Sequence, residues 1–435
     1  VPEALEIALT PERLDDAAPE ERACFGRFTI ETAAGPLTAG IDHFIGGYRA
    51  GPLVSGYHAA EWFAWNWWRL RYEPRSRAPE WWRAHMMSAI GEGYVWPRIT
   101  IFSDGVRTTV VSEPSVRADA KPFRYLGAHT TVLPSAQFEG ALDAFIGQME
   151  GRLIEHGLAD TNLSRIWTEL RAERADPATA ERRRLEALLA FDPDEAADDA
   201  IEALVADSRR FGTEGAEELA ADQGGGGERL GGADLDRIAA ARGVTGRACD
   251  AVRLPPGAPV PAWGERAAWV VGARAADELR SHAGLANEPI GDARLAELAG
   301  VGQAILSTPA VAPLAFSLDR ADGGSATVLR SRNPAGRRFE LARLIGDRAV
   351  SPGRSPLHAA TRAYTYRQKM QRSFAAELLC PFPALDAFLE NDISPEAQQD
   401  AAEHFRVSEL TVRTLLVNHG RLEREELVED LDAAA

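Results

Sequence analysis

Cysteine is scarce in this chain: three in 435 residues, Cys24, Cys249 and Cys380, far apart and odd in number. With no CxxC spacing, neither a zinc ribbon nor a disulfide framework is expected, and a reducing, cytoplasmic location fits best. Long apolar runs are also missing. None approaches the roughly 18 residues of a membrane span, so no membrane association is expected. The N-terminal VPEALEIALTPERLDD has no basic stretch ahead of an apolar one, and a secretory signal is not expected. Positive charge is in deficit, with 48 Lys and Arg against 65 Asp and Glu, a net charge of −17. That argues against diffuse nucleic-acid binding by the whole chain and suits a protein partner at least as well as a polyanion, while leaving room for a local basic patch.

The length exceeds one ordinary core. The expected fold class is α+β, a mostly helical multidomain chain that opens with a small aromatic-rich α+β domain. The divisions expected are a Trp-rich domain over 1–159, a charged helical connector over 160–262, a third domain over 263–421 and an acidic tail over 422–435. Within the first, FGRFTIETA at 25–33 reads as strand. The stretch from Ala59 to Arg71 has no breaker and predicts one helix, ended near Pro74. A shorter helix is predicted over 81–93, then a hairpin turning at Asp104-Gly105. PSAQFEGALDAFIGQMEGRLIEH at 134–156 predicts a helix burying Phe138, Leu142, Phe145 and Met149.

Seven of the ten tryptophans lie between 62 and 96. They make either a dense core or the lining of a groove. Glu61, Asn66, Arg69, Arg71, Glu73 and His85 are the polar residues expected to be enclosed with them. Once buried, such groups must satisfy one another, and a network facing a cleft would be the N-terminal candidate site.

The connector helices carry apolar stripes at Leu185, Leu188 and Leu189 and at Ile201, Leu204 and Val205. The QGGGG loop at 223–227 lacks the Lys-Ser/Thr that a phosphate-binding loop needs. Further on, PLAFSLD at 313–319 and SATVLRS at 325–331 predict a strand pair joined by a DGG turn. The rest, to about 420, reads as helix upon helix.

Four segments of the C-terminal part resemble one family in order and spacing. They are ADELRSHAGLANEPIGDARLAELAGV at 276–301, RRFELARLIGD at 337–347 and MQRSFAAELLCP at 370–381, followed by HFRVSELTVRTLL at 404–416. Together they resemble the ImmA/IrrE family of zinc metallopeptidase-like proteins over residues 266–421. The resemblance implies a zincin-like domain whose metal helix carries two histidines four apart and a glutamate beside the first. Aligned on RF and G, those positions hold Arg343, Leu344 and Asp347, and the third ligand position falls at Gln368. A guanidinium has no lone pair for zinc, and leucine cannot take a proton from water. His358, eleven residues past Asp347, is a poor substitute by spacing. No metal, no cofactor and no catalytic residue is expected here, so the domain reads as degenerate.

What remains is a binding site. Arg343 and Asp347 stand four apart on one helical face, a spacing that lets them pair and fill the former metal cleft. Alternatively Arg343, with Arg338, Arg367 or Arg372, makes a pocket for an anion or an acidic peptide. Cys380 beside Pro381 reads as a buried thiol with no triad partner. Residues 394–420 carry a helix–turn–helix pattern capped by Ser394 and Ser408, with Arg413, Asn418 and His419 available to DNA.

The function expected is therefore a non-catalytic regulatory or binding protein on a pseudopeptidase domain. The resemblance implies a setting in bacterial stress response or control of phage and mobile elements. One alternative is a metal-dependent hydrolase, either with a rebuilt site or drawing on His58, His85, His129, Glu61, Glu73, Glu92 and Asp104 in the N-terminal half. Another is a DNA-binding regulator acting through 394–420.

Overall fold

Alternation of apolar and polar side chains builds the first sheet. Strand Phe25–Thr32 buries every second residue and pairs antiparallel with Glu6–Pro11, setting Leu9 opposite Phe28 and Ile7 opposite Ile30. The computed structural model describes residues 5–76, 80–308, 312–351 and 355–423. The chain is α+β and largely helical, with strands and aromatic clusters concentrated in its N-terminal region. Two units are distinguished, Val1–Glu202 and Ala203–Ala435.

In the first unit, strands Arg98–Ser103, Arg107–Glu113 and Thr130–Pro134 form a second antiparallel sheet, joined through the Asp104-Gly105 turn. Helix Ser135–Glu155 buries Phe138, Leu142, Phe145 and Met149, as its spacing predicts. The unbroken helix expected from Ala59 to Arg71 is two helices, Gly56–Trp65 and Trp67–Tyr72. Asn66 is the reason. Its backbone N–H and its side-chain Nδ2 both donate to the Trp62 carbonyl, at 3.0 and 2.8 Å, and the local bond ends the first helix. The next predicted helix is also shorter, Trp81–His85, because Met86 turns extended and bridges to Thr100 before a 3-10 turn at Met87–Ala89. Trp67, Trp68, Trp81 and Trp96 are buried, while Trp65 and Trp82 reach solvent. Four of the seven tryptophans between 62 and 96 are therefore core, and Trp62 packs partly buried against it.

The second unit is built on an antiparallel sheet in the order Val244–Arg247, Gly324–Val328, Ala315–Asp319, Leu357–Ala360. The central pair is the hairpin expected from sequence. The outer strands are additions. Val244–Arg247 lies in the stretch expected to be a helical connector, and Leu357–Ala360 in one expected to be helical. LHAA is buried at all four positions, so it carries no period-two signal.

Helix Pro334–Val350 lies between this sheet and helix Tyr366–Leu379. Leu341, Leu344 and Ile345 meet the sheet beside Ser317 and Thr327. The face carrying Arg343 and Asp347 meets Tyr366–Leu379. Both helices start on side-chain caps, Asn333 accepting from the Ala335 N–H and Thr365 from the Gln368 N–H. Their close approach depends on Gly346, where a Cβ would fall 2.6 Å from Phe374 Cγ. Gly272 plays the same part for helix Ala268–His282, where a Cβ would lie 2.8 Å from the Phe374 nitrogen. Helices Pro395–Phe405 and Glu409–Asn418 follow, capped by Ser394 and Ser408 as their sequence predicts. Among the described residues, no helix is long and apolar enough to cross a membrane. Most of the acidic tail, 424–435, lies outside the described residues.

Candidate functional site

The N-terminal polar group divides on folding. Arg69, Glu73 and His85 come together: Arg69 donates twice to Glu73, at 2.6 and 3.2 Å, and once to Asp192 at 3.2 Å. His85 Nε2 lies 2.9 Å from Glu73 Oε2, and Nδ1 donates to the Ile101 carbonyl at 2.7 Å. The ring stacks on Trp81 with centroids 4.2 Å apart. Arg71 is elsewhere, bound to Glu139 and, at 2.8 Å, to the Gly105 carbonyl. Glu61 accepts from Asn162 Nδ2 at 2.9 Å, and Asn66 is spent on its helix end. Arg69, Glu73 and His85 tie helices and a strand of a buried core together, whereas Arg71 is half-buried and the Glu61–Asn162 bond is exposed, so these two are not enclosed as expected.

The C-terminal group is denser. Asp347 is fully buried and accepts from four residues. Arg367 gives Nε and a terminal nitrogen at 2.6 Å each, Gln371 Nε2 lies at 2.7 Å, and Ser351 Oγ at 2.9 Å. His358 Nδ1 adds a fourth partner at 2.8 Å. Burial alone would raise the Asp347 carboxyl, but the Arg367 charge and these hydrogen bonds hold it far below the carboxylate range. For His358, burial pulls the ring down, and the Asp319 carboxylate 3.8 Å from Nε2 together with the hydrogen bond to Asp347 more than offset it, raising it above its ordinary value.

The expected Arg343–Asp347 pair does not form. Asp347 is taken by Arg367, which arrives from the neighbouring helix with a bidentate fork that a residue four along the same helix cannot match. Arg343 turns instead to Gln368 Oε1 and to the Thr361 carbonyl at 2.7 Å. Both partners are neutral. Its Nε is buried with no acceptor. Burial, then the nearby Arg372 charge, pushes the Arg343 guanidinium down to about 9, still charged at neutral pH.

The other candidates separate in the same way. Arg338 is paired with Asp292 and with the Ile290 carbonyl at 2.7 Å, so neither it nor Arg367 is available to a ligand. Arg372 is capped by the carbonyls of Arg362 and Ala363, at 3.0 and 2.9 Å, and lies over the Tyr364 ring. The position expected for a third metal ligand, Gln368, donates to the Ala359 carbonyl and accepts from the Thr361 N–H, each at 3.0 Å. Among the described residues, no group of three or more His, Cys, Asp or Glu is placed to hold a metal ion.

Sequence reasoning missed Glu218. It sits on helix Thr213–Gly224, accepts from Thr365 Oγ1 at 2.8 Å, and has a second oxygen without a partner. Burial pushes its carboxyl up to about 7, against the pull of Arg367. A signal existed: Ala216, Leu219, Ala220 and Ala221 are all buried around it, and a helix apolar on most sides encloses whatever acid it carries. One turn on, Asp222 borders an open cavity of about 550 Å³ with Gly226, Gly227, Arg330, Arg332 and Arg362. The glycine loop at 223–227, which lacks the residues of a phosphate-binding loop, contributes Gly226 and Gly227 to the cavity rim. Its amides are spent internally, Gly226 on Gln223 and Gly227 on Asp222.

The remaining candidates are absorbed by packing. Cys380 is buried, and burial raises its thiol. Arg413 donates to Gln398 at 3.0 Å, and His419 stacks on Phe382 while its Nε2 lies 2.6 Å from Glu377. Comparison with known protein families, with curated proteins and with solved structures gives no match to this chain.

Proposed function

We propose that the second unit is a pseudopeptidase module that binds and does not cleave, and that the chain acts as a regulatory or ligand-binding protein. The observation carrying this reading is the saturation of Asp347. A metal ligand needs an open lone pair facing its ion, and here both carboxylate oxygens are covered by Arg367, Gln371, Ser351 and His358. Of the three other positions implied by the resemblance, Arg343 and Leu344 offer neither a ligand nor a base, and the Gln368 amide is taken up by Arg343, the Thr361 N–H and the Ala359 carbonyl. The resemblance to ImmA/IrrE proteins supports the regulatory setting by analogy alone. The test is elemental analysis of the purified chain after exposure to zinc, beside a peptidase assay on unfolded protein substrates. Stoichiometric zinc bound through Asp347, lost in Asp347→Ala, would refute the proposal.

A second reading, an enzyme using a carboxylic acid, is favoured by one observation. Glu218 is held near neutrality one turn from a residue bordering the cavity. Against it, Glu218 is only 5% exposed and does not itself border that cavity. Turnover abolished by Glu218→Gln without loss of fold would establish it.

A further inference from the structure

Two cationic groups in the second unit, the buried Arg343 and the half-buried Arg372, have no carboxylate partner. Arg343 is 6% exposed, yet its hydrogen-bond partners are an amide oxygen and a peptide carbonyl. Arg372 is likewise capped by peptide carbonyls and an aromatic face. A desolvated guanidinium without a carboxylate is costly unless the surroundings later supply a negative charge.

The place for that charge is adjacent. Arg343 and Arg372 both hold the carbonyl of Thr361, and the residues on either side, Ala360 and Arg362, border the 550 Å³ cavity. Arg330 and Arg332 border it from the segment that leads into helix Pro334–Val350. Among the described residues, the side chains of Arg332 and Arg362 make no hydrogen bond or ion pair, and both reach solvent. Arg330 is partly compensated, its Nε standing 3.5 Å from Glu340. Two carboxylates also border the cavity. Asp222 is turned to the Arg362 N–H at 2.8 Å, while Glu228 is exposed at the rim. The remaining wall is aliphatic, at Ala312, Pro313, Leu314 and Ala360. The volume lies within the range of small-molecule sites, about 300–1,000 Å³.

We infer that this cavity binds a small organic oxyanion, with its phosphate or carboxylate groups on Arg332 and Arg362 and its body against Pro313 and Leu314. The planar forks of arginine suit both oxyanions, and Arg343 and Arg372 add a fixed positive field from behind the 360–362 wall. The inference deepens the binding role proposed above, and rests on it, by naming the ligand's charge and place.

The experiment is calorimetric titration of the full chain at low ionic strength with pyrophosphate and, separately, with citrate. Binding of either probe, weakened by about tenfold or more in Arg332→Ser/Arg362→Ser, is the expected result. Pyrophosphate alone would assign a phosphate-bearing ligand, citrate alone a polycarboxylate, and both a general oxyanion site. Because both replaced side chains are solvent-facing, circular dichroism of the double variant should match the parent. Absence of binding by both probes overturns the inference, as does binding that the double variant leaves unchanged. Failure here with no zinc bound leaves the pseudopeptidase reading standing; oxyanion binding together with stoichiometric zinc sinks that reading and keeps this site.

Discussion

Replacing Glu218 by glutamine should stabilise the protein above neutral pH, the reverse of what most core substitutions do. In the folded chain, burial lifts this carboxyl from 4.5 to about 7, with the Arg367 charge opposing the rise. Between those values the folded state keeps the proton and the unfolded state has released it. Stability therefore falls as pH climbs from 4.5 to 7 and is flat, for this group, above that. The interval corresponds to about 3 kcal/mol. Glutamine keeps an oxygen for Thr365 Oγ1, now 2.8 Å from Glu218, and has no proton to lose. Relative to the parent, Glu218→Gln should then gain about 3 kcal/mol between pH 4.5 and pH 8. Urea unfolding followed by circular dichroism at several pH values measures the gain as a difference between the two proteins. His358 also titrates, with its ring raised above the ordinary value, so its contribution is complete below 6.5 and lost as pH rises through the folded value. It is common to both proteins and cancels. Parallel stability curves for parent and variant would refute the reasoning, because they would mean that Glu218 is already ionised in the fold.

Three further substitutions separate the members of the network. Asp347→Asn leaves the buried Arg367 and His358 without their anion and should cost about 3–5 kcal/mol, with faster amide exchange in peptides from Tyr366–Leu379. Arg343→Met removes a charge that has no carboxylate partner, so urea unfolding should show stability within about 1 kcal/mol of the parent or above it. A loss like that of Asp347→Asn would show that Arg343 is structurally paired after all. Gly346→Ala gains about 1 kcal/mol of helix propensity but drives a methyl into the Phe374 ring, and a net loss of melting temperature is expected from overpacking of about 1–3 kcal/mol.

The elements with period and punctuation were legible. Helix Ser135–Glu155, the Asp104-Gly105 hairpin, the 315–328 hairpin and the helices capped by Ser394 and Ser408 all follow from local signals. What failed was competition between local and distant partners. Asn66 ends a helix through a side-chain bond that no helix propensity registers. Leu357–Ala360 is a strand only because Ala315–Asp319 offers it an edge. In the candidate site, helical spacing correctly placed Arg343 and Asp347 on one face, but it could not rank a partner four residues away against Arg367 on another helix. His358 was discounted on its distance along the chain from Asp347, yet the strand that carries it brings its ring to 2.8 Å.

That re-pairing explains why so acidic a chain has a place for an anion. Around helix Pro334–Val350, Arg348 and Asp319 neutralise each other and Arg367 shares Asp347 with His358. Arg343 and Arg372 hydrogen-bond to neutral groups alone, Glu340 on the same helix is taken up by the Arg330 and Ser331 amides, and Glu218 is largely protonated up to neutrality. The net charge of −17 belongs to the chain as a whole, whereas the guanidinium groups of Arg343 and Arg372 meet neutral partners here. Ionisation of Glu218 above pH 7 would bring a negative charge toward Arg343 and Arg372 and compete with an incoming oxyanion. Affinity for pyrophosphate or citrate should accordingly weaken as pH rises from 6 to 8 in the parent and stay level in Glu218→Gln, at matched ionic strength. A decline of equal size in both proteins would detach Glu218 from the cavity and leave the arginines to account for any binding alone.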